Sequence, residues 1–131
     1  MVFYGTYPTI TLIAAPLIFL TLVLAAFGIG TLISALTVEF RDFRHAVPFL
    51  VQLWMFATPT VYMDANIMGE RWQRYLPINP AYGLIQNFRY AILGHELDPY
   101  SLGVSLVTTL FLLIIGCMYF RRVERTFADV I

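Results

Sequence analysis

TLIAAPLIFLTLVLAAFGIGTLISAL, residues 11–36, decides the fold class. It contains no charged side chain, and none precedes it; the first in the chain is Glu39. A bilayer core requires about 20 consecutive apolar residues in a helix. At about 1.5 Å per residue, these roughly 26 residues reach about 39 Å, enough to cross with tilt. Pro16 falls in the first turns, where a missing N–H costs least. Residues 5–8, Gly-Thr-Tyr-Pro, predict a turn ahead of the helix, and residues 1–4 read as the end of a preceding one.

Two further uncharged stretches follow, residues 46–63 and 99–120. They predict spans over 46–62 and 99–120, hence an all-α, polytopic membrane protein with three transmembrane helices in one transmembrane domain. Composition points the same way. The chain of 131 residues is 60% hydrophobic and 12% charged, with mean hydropathy +0.75. A soluble domain carries about 25% charged residues, so the polar surface here is too small to hold the chain in water.

Net charge is zero, with 8 arginines against 8 acids and no lysine. The arginines stand at segment ends rather than in one basic patch, which excludes nucleic acid as a partner. The single cysteine, Cys117, has no intrachain partner. A signal peptide would begin with a basic region, whereas the first positive residue is Arg41. The expectation is that the chain starts inside a longer protein.

Residues 38–45, VEFRDFRH, make a polar loop too short for a domain, so they join two antiparallel helices. The second span carries Pro48 near its start and Pro59 near its end. Lipid offers no partner for the backbone groups that a late proline frees, so protein or water must supply one. The segment between the second and third spans differs. Asn79-Pro80 is a helix start, with Asn as N-cap and Pro at the first helical position. Ala81, Leu84, Ile85, Phe88 and Ile92 follow at helical spacing, with Gln86, Asn87, Arg89 and Tyr90 elsewhere around the helix. Gly94 supplies the stop. About 14 residues are too few to span, so this is a short re-entrant or interfacial helix. A first short helix precedes it, giving a pair of short outer helices over 67–94. Asp98-Pro99 repeats the cap signal and opens the third span. Residues 121–131 form a polar tail.

Orientation follows arginine counts near span ends. Arg41 and Arg44 of the loop share one side with Arg121, Arg122 and Arg125 of the tail; Arg71, Arg74 and Arg89 lie opposite. The loop and the C-terminus are therefore expected in the cytoplasm.

Several constellations carry two readings each. Ala26, Gly30 and Ser34, with Gly28 adjacent, let helix backbones approach closely, either for general packing or at a dimer interface. Glu39, Arg41, Asp42 and Arg44 alternate in sign, as in a self-paired solvated turn or a docking loop. Trp54, Phe56, Tyr62, Tyr82, Phe88, Tyr90 and Tyr100 fit an interfacial belt, and also a surface on which sugar rings stack. His45 and His95 are expected on opposite faces, about 30 Å apart, so no single site uses both. HExxH is absent, and His95-Glu96 lacks a third ligand; no metal site is expected. Ser34 with His45 is weak evidence for catalysis. A Walker A motif is absent, so the chain is not expected to hydrolyse ATP, nor to hold a cofactor.

GIGTLISALTVEFRDFRHAVPFLVQLWMFATPTVY, residues 28–62, resembles the ABC-2 permeases, in particular those that export O-antigen, capsule or teichoic acid. The resemblance lies in Gly28/Gly30, Arg41-Asp42 and Thr58-Pro59 with Tyr62. It continues in LPINPAYGLIQNFRYAILG, residues 76–94, with Asn79-Pro80, Phe88-Arg89 and Gly94, and in the tail YFRRVERTFADVI. Met63 follows Tyr62 where the family often has proline. The resemblance implies a permease subunit in the bacterial cytoplasmic (inner) membrane, paired with a second permease copy and served by an ABC ATPase subunit that binds ATP and Mg. A lipid-linked glycan would be the cargo and membrane lipid the surroundings. The three spans would be the last three of six. Glu39, Arg41, Asp42 and Arg44 would face the ATPase. Trp54, Pro59, Tyr62, Asn79, Pro80, Tyr82, Phe88 and Arg89 would line the outer gate or translocation path. Other readings of the residues are a permease for a drug or another lipid, a small structural membrane protein, or an intramembrane enzyme using His45 with Ser34 or Asp42.

Overall fold

The computed structural model describes residues 10–58 and 69–129. The expected turn at residues 5–8, residues 1–4, Pro59 and Tyr62 lie outside the described residues. A 3₁₀ turn, Ile10–Ala14, leads into α1 (Ala15–Glu39); α2 (Phe43–Ala57), α3 (Glu70–Tyr75), a second 3₁₀ turn (Leu76–Ile78), α4 (Pro80–Leu93) and α5 (Pro99–Ala128) follow. Every described element is helical.

The local signals act where the sequence places them. Pro16 sits in the first turn of α1. Asn79 caps α4, its Oδ1 accepting from the Ala81 N–H at 3.2 Å. Asp98 caps α5 in the same way, accepting from the Tyr100 N–H at 3.1 Å. Gly94 ends α4 with φ 75°, a left-handed conformation that glycine adopts without steric cost.

Among the described residues two helical stretches, not three, have the length and apolarity to cross a membrane. They are Ile10–Glu39 and Pro99–Ala128, 30 residues each. At about 1.5 Å per residue each reaches about 45 Å, beyond a hydrocarbon core of about 30 Å. The described part of the expected middle span is α2, of 15 residues, or about 22 Å. The tail is not a separate segment: α5 stays helical through Arg121 and Arg122 to Ala128.

α1 and α5 run parallel and pack along their length. Ala14 and Ile18 lie near Leu102, Gly28 meets Leu113, and Glu39 accepts a hydrogen bond from the Tyr119 hydroxyl. The closest approach involves two glycines. A methyl on Gly116 would stand 2.6 Å from the Gly28 carbonyl oxygen and 2.6 Å from Thr31 Oγ1; one on Gly28 would stand 3.0 Å from the Leu113 backbone. Small residues at such a crossing bring the backbones into van der Waals contact, the main attraction between helices in lipid. α4 lies across the N-terminal ends of both long helices. Leu84 and Ala91 pack there with Ala15, Ile18 and Ala25, and Phe19 meets Phe88 with ring centroids 6.1 Å apart.

Most remaining apolar surface faces outward. Leu17, Phe19, Val23 and Phe27 of α1 are exposed, as are Val107, Phe111, Ile114 and Met118 of α5, and no residue of α2 is buried. A soluble monomer does not display apolar surface on this scale, whereas a bundle dissolved in lipid does.

Candidate functional site

The chemistry-bearing residues gather at the two ends of the bundle. At the α4 end, Thr58 follows directly on α2 and is 6% exposed. Its hydroxyl donates to the Trp54 carbonyl at 2.9 Å and accepts from Asn79 Nδ2 at 2.9 Å. Asn79 Nδ2 also reaches the Ala57 carbonyl at 3.4 Å. One side chain thus caps α4 and ties its start to the end of α2, supplying a polar partner to the last turn of α2.

The same end holds a buried polar seam between α4 and α5. Asn87 is fully buried. Its Nδ2 donates to the Gly83 carbonyl at 2.8 Å, and its Oδ1 accepts from the Asp98 N–H at 2.9 Å, fixing the connection that enters α5. Ser105, also fully buried, donates to the Pro77 carbonyl at 3.2 Å. Gly83 makes that approach feasible, since a methyl there would stand 1.9 Å from Ser105 Oγ. Ser101, Ser105 and Thr109 form a buried polar row on α5, with Thr109 donating to the Ser105 carbonyl at 2.7 Å. Bonding to backbone carbonyls lowers the cost of burying the Ser105 and Thr109 hydroxyls, whereas Ser101 Oγ is buried without a hydrogen-bond partner. On the neighbouring surface Gln86 Nε2 donates to the Tyr90 hydroxyl at 2.8 Å, and Tyr90 stands edge-on to His95. Burial pushes the Tyr82 phenol above its usual range, so it stays neutral.

At the opposite end, the loop residues Glu39, Arg41, Asp42 and Arg44 are all exposed. Among the described residues no ion pair joins them to one another. Glu39 bonds instead with Tyr119 of α5, beside a groove of about 390 Å³ that reaches Arg122, Thr126 and Phe127. In this turn the His45 backbone N–H donates to the Asp42 carbonyl at 3.1 Å.

Of the expected outer-path residues, Asn79 takes part in the joint described above, while Pro80 and Tyr82 are buried in packing. Phe88 is half-buried against Phe19, and Trp54 and Arg89 are exposed. In the expected small-residue stripe only Gly28 is buried; Ala26, Gly30 and Ser34 are exposed, and a methyl on Gly30 would meet nothing within 4 Å. The face that α1 packs within this chain is Ile18, Ala25, Gly28 and Ala35. The buried face of α4 is also rotated from the apolar row expected for it. It runs through Gly83, Leu84, Asn87 and Ala91, because Asn87 turns inward to meet the Asp98 N–H. Sequence reasoning missed Gly83, Asn87, Gly116 and the Ser101/Ser105/Thr109 row. Small residues four apart were the available signal for the Ser101/Ser105/Thr109 row; Gly83, Asn87 and Gly116 stand in no such spacing.

A parallel pair of spanning-length helices, capped by a short polar-seamed helix and flanked by outward apolar surface, defines a membrane-embedded bundle. The profile of the ABC-2 type transporter family matches residues 1–93, and the chain belongs to that family. It is similar to the O-antigen export system permease protein RfbA of Myxococcus xanthus, at 28% identity over 128 residues, covering 96% of this chain and 49% of the relative. Two Klebsiella pneumoniae proteins of the same name are 26% and 24% identical, each over 98% of this chain and 49% of the relative. The chain spans about half the length of the curated relatives it matches. No solved structure matches it.

Proposed function

We propose that the chain is part of the permease subunit of an ABC exporter that passes a lipid-linked polysaccharide, or a related glycoconjugate, across the bacterial cytoplasmic membrane. The observation that carries this reading is the similarity to O-antigen export permeases across 96–98% of the chain. In this reading α2 belongs to a third span, expected over residues 46–62. The loop of Glu39, Arg41, Asp42 and Arg44 lies in the cytoplasm with the α5 extension, and a separate ATPase subunit, holding ATP and Mg, docks there. A second permease copy completes the path.

The geometry supplies a means of coupling. α2 is joined to α1 by a tight turn at Phe40–Phe43 and to α4 by the Thr58–Asn79 hydrogen bond, and nothing between these ends is buried. A helix held at its ends and solvated by lipid between them transmits displacement as a rod. A push by the ATPase on the Arg41-Asp42 turn therefore reaches the short helices at the far end, where the cargo leaves. Arg89, Trp54 and the half-buried Tyr90 lie on open surface of that region and suit a glycan. A permease for a drug or other lipid is the second reading, favoured by the outward apolar face of α2.

Depleting the full-length protein in its native cell tests the cargo. The expected result is loss of surface polysaccharide with accumulation of lipid-linked glycan inside, restored by the wild-type gene. Unchanged surface glycan with a lost efflux phenotype would overturn the glycan reading in favour of the second.

A further inference from the structure

Past its apolar part α5 carries Arg121, Arg122 and Arg125 on consecutive turns, and these line one open groove of about 380 Å³ with Met118, Thr126 and Asp129. The other side of the helix is taken: Val123 is buried and Tyr119 bonds with Glu39 of α1. Arg121 and Arg125 therefore lie on the side away from α1, while Arg122 stands at the border and also lines the groove beside Glu39. Among the described residues none of the three arginines has an ion-pair partner. Asp129 stands at the far end of the groove, Glu124 flanks it outside, and the α5 C-terminus adds the equivalent of about half a negative charge. Three guanidinium groups outweigh the one acid in the groove and the dipole together.

The stripe that leads into this groove is the second observation. Val107, Phe111, Ile114 and Met118 recur at helical spacing on the same face and are 66%, 62%, 57% and 68% exposed. From Val107 to Met118 the helix rises about 16 Å, close to half of a hydrocarbon core of about 30 Å, which is one leaflet. One helix face thus offers a leaflet-long apolar track that ends in a basic groove. We propose that this face is a binding site for an anionic phospholipid, with acyl chain along Val107, Phe111, Ile114 and Met118 and headgroup phosphate held by Arg121, Arg122 and Arg125. Guanidinium groups suit the task because their fork of donors matches phosphate oxygens. A free phosphate would use the arginines and leave the track unused; the phospholipid uses both. The inference rests on the chain's place in a membrane and is independent of the cargo.

The test is native mass spectrometry of the full-length permease, purified in detergent and supplied with phosphatidylglycerol, phosphatidylcholine or inorganic phosphate. Wild-type protein should retain phosphatidylglycerol at least about fivefold over phosphatidylcholine. Retention should fall as salt rises, because screening weakens exposed charge pairs. The triple variant R121Q/R122Q/R125Q should lose the preference, the triple Arg→Lys variant should keep most of it, and Phe111→Asn should weaken retention with the arginines intact. Equal retention of the two lipids by wild-type protein would overturn the site. So would an undiminished preference in the glutamine variant, or displacement of lipid by millimolar inorganic phosphate, which would mark a free-anion site. Failure of the glycan export assay with lipid preference intact would refute the cargo and leave this site standing.

Discussion

Alanine at Gly116 and at Gly30 should act in opposite directions, although both are glycines in long apolar helices. A methyl on Gly116 lands 2.6 Å from the Gly28 carbonyl oxygen and from Thr31 Oγ1. Thr31 cannot simply swing aside without losing its bond to that same carbonyl, at 2.9 Å. The carbonyl is backbone, so restoring ordinary contact at 3.4 Å requires α1 and α5 to separate by roughly 0.8 Å. Overpacking of this kind costs about 1–3 kcal/mol. The higher helix propensity of alanine returns up to about 1 kcal/mol. The net expectation for Gly116→Ala is a loss of up to about 2 kcal/mol, a factor of up to about 30 in the folding equilibrium. Gly30→Ala meets nothing within 4 Å and keeps only the propensity gain, so it should be neutral or up to about 1 kcal/mol more stable. The assay is reversible SDS unfolding of the full-length protein in mixed micelles, followed by tryptophan fluorescence. Equal losses in the two variants would refute the assigned packing face of α1, and would show the Ala26/Gly30/Ser34 face in contact with another helix.

Asn87→Leu should cost about 1–3 kcal/mol, because the Asp98 N–H loses its acceptor inside the α4–α5 seam. Asn87→Asp keeps the acceptor but buries a carboxylate facing the Gly83 carbonyl. Burial raises the folded-state pKa of that carboxyl above its unfolded value, so the stability of this variant should rise as pH falls through the raised value; a pH series of unfolding midpoints checks the sign. At the joint between α2 and α4, Asn79→Asp retains the cap and removes the donor to Thr58, whereas Asn79→Ala removes both. A double-mutant cycle with Thr58→Val should give a coupling of about 0.5–1.5 kcal/mol with the aspartate variant, and zero coupling would remove the joint from the account.

The elements that the sequence announces are those set by local chemistry. Asn79-Pro80 and Asp98-Pro99 start helices because the side chain that caps them lies two residues from the N–H it accepts. Gly94 stops α4 through its own backbone freedom. What stayed hidden depends on distant partners. The inward turn of Asn87 is set by an N–H eleven residues away, whereas apolar periodicity alone assigns it to another face. The packed face of α1 is illegible because the helix is apolar all round; hydropathy then marks the membrane and not the neighbour, and the choice between Gly28 and Gly30 falls to Gly116 on α5. The tail reads as a polar end by composition, yet α5 continues through it with Val123 packed inward and Arg121 and Arg125 outward. Thr58-Pro59 and Asn79-Pro80 are separate motifs along the chain, and only folding brings Thr58 and Asn79 within 2.9 Å.

The central claim is that this chain belongs to a transport subunit driven by a separate ATPase. The most direct measurement is to isolate the tagged full-length protein from native membranes after mild crosslinking and identify what copurifies. The account predicts a P-loop ATPase in stoichiometric amount, lost when Arg41 and Arg44 are both changed to Glu while the permease remains in the membrane. Recovery of the permease without any ATPase, under conditions that preserve its fold, would contradict it.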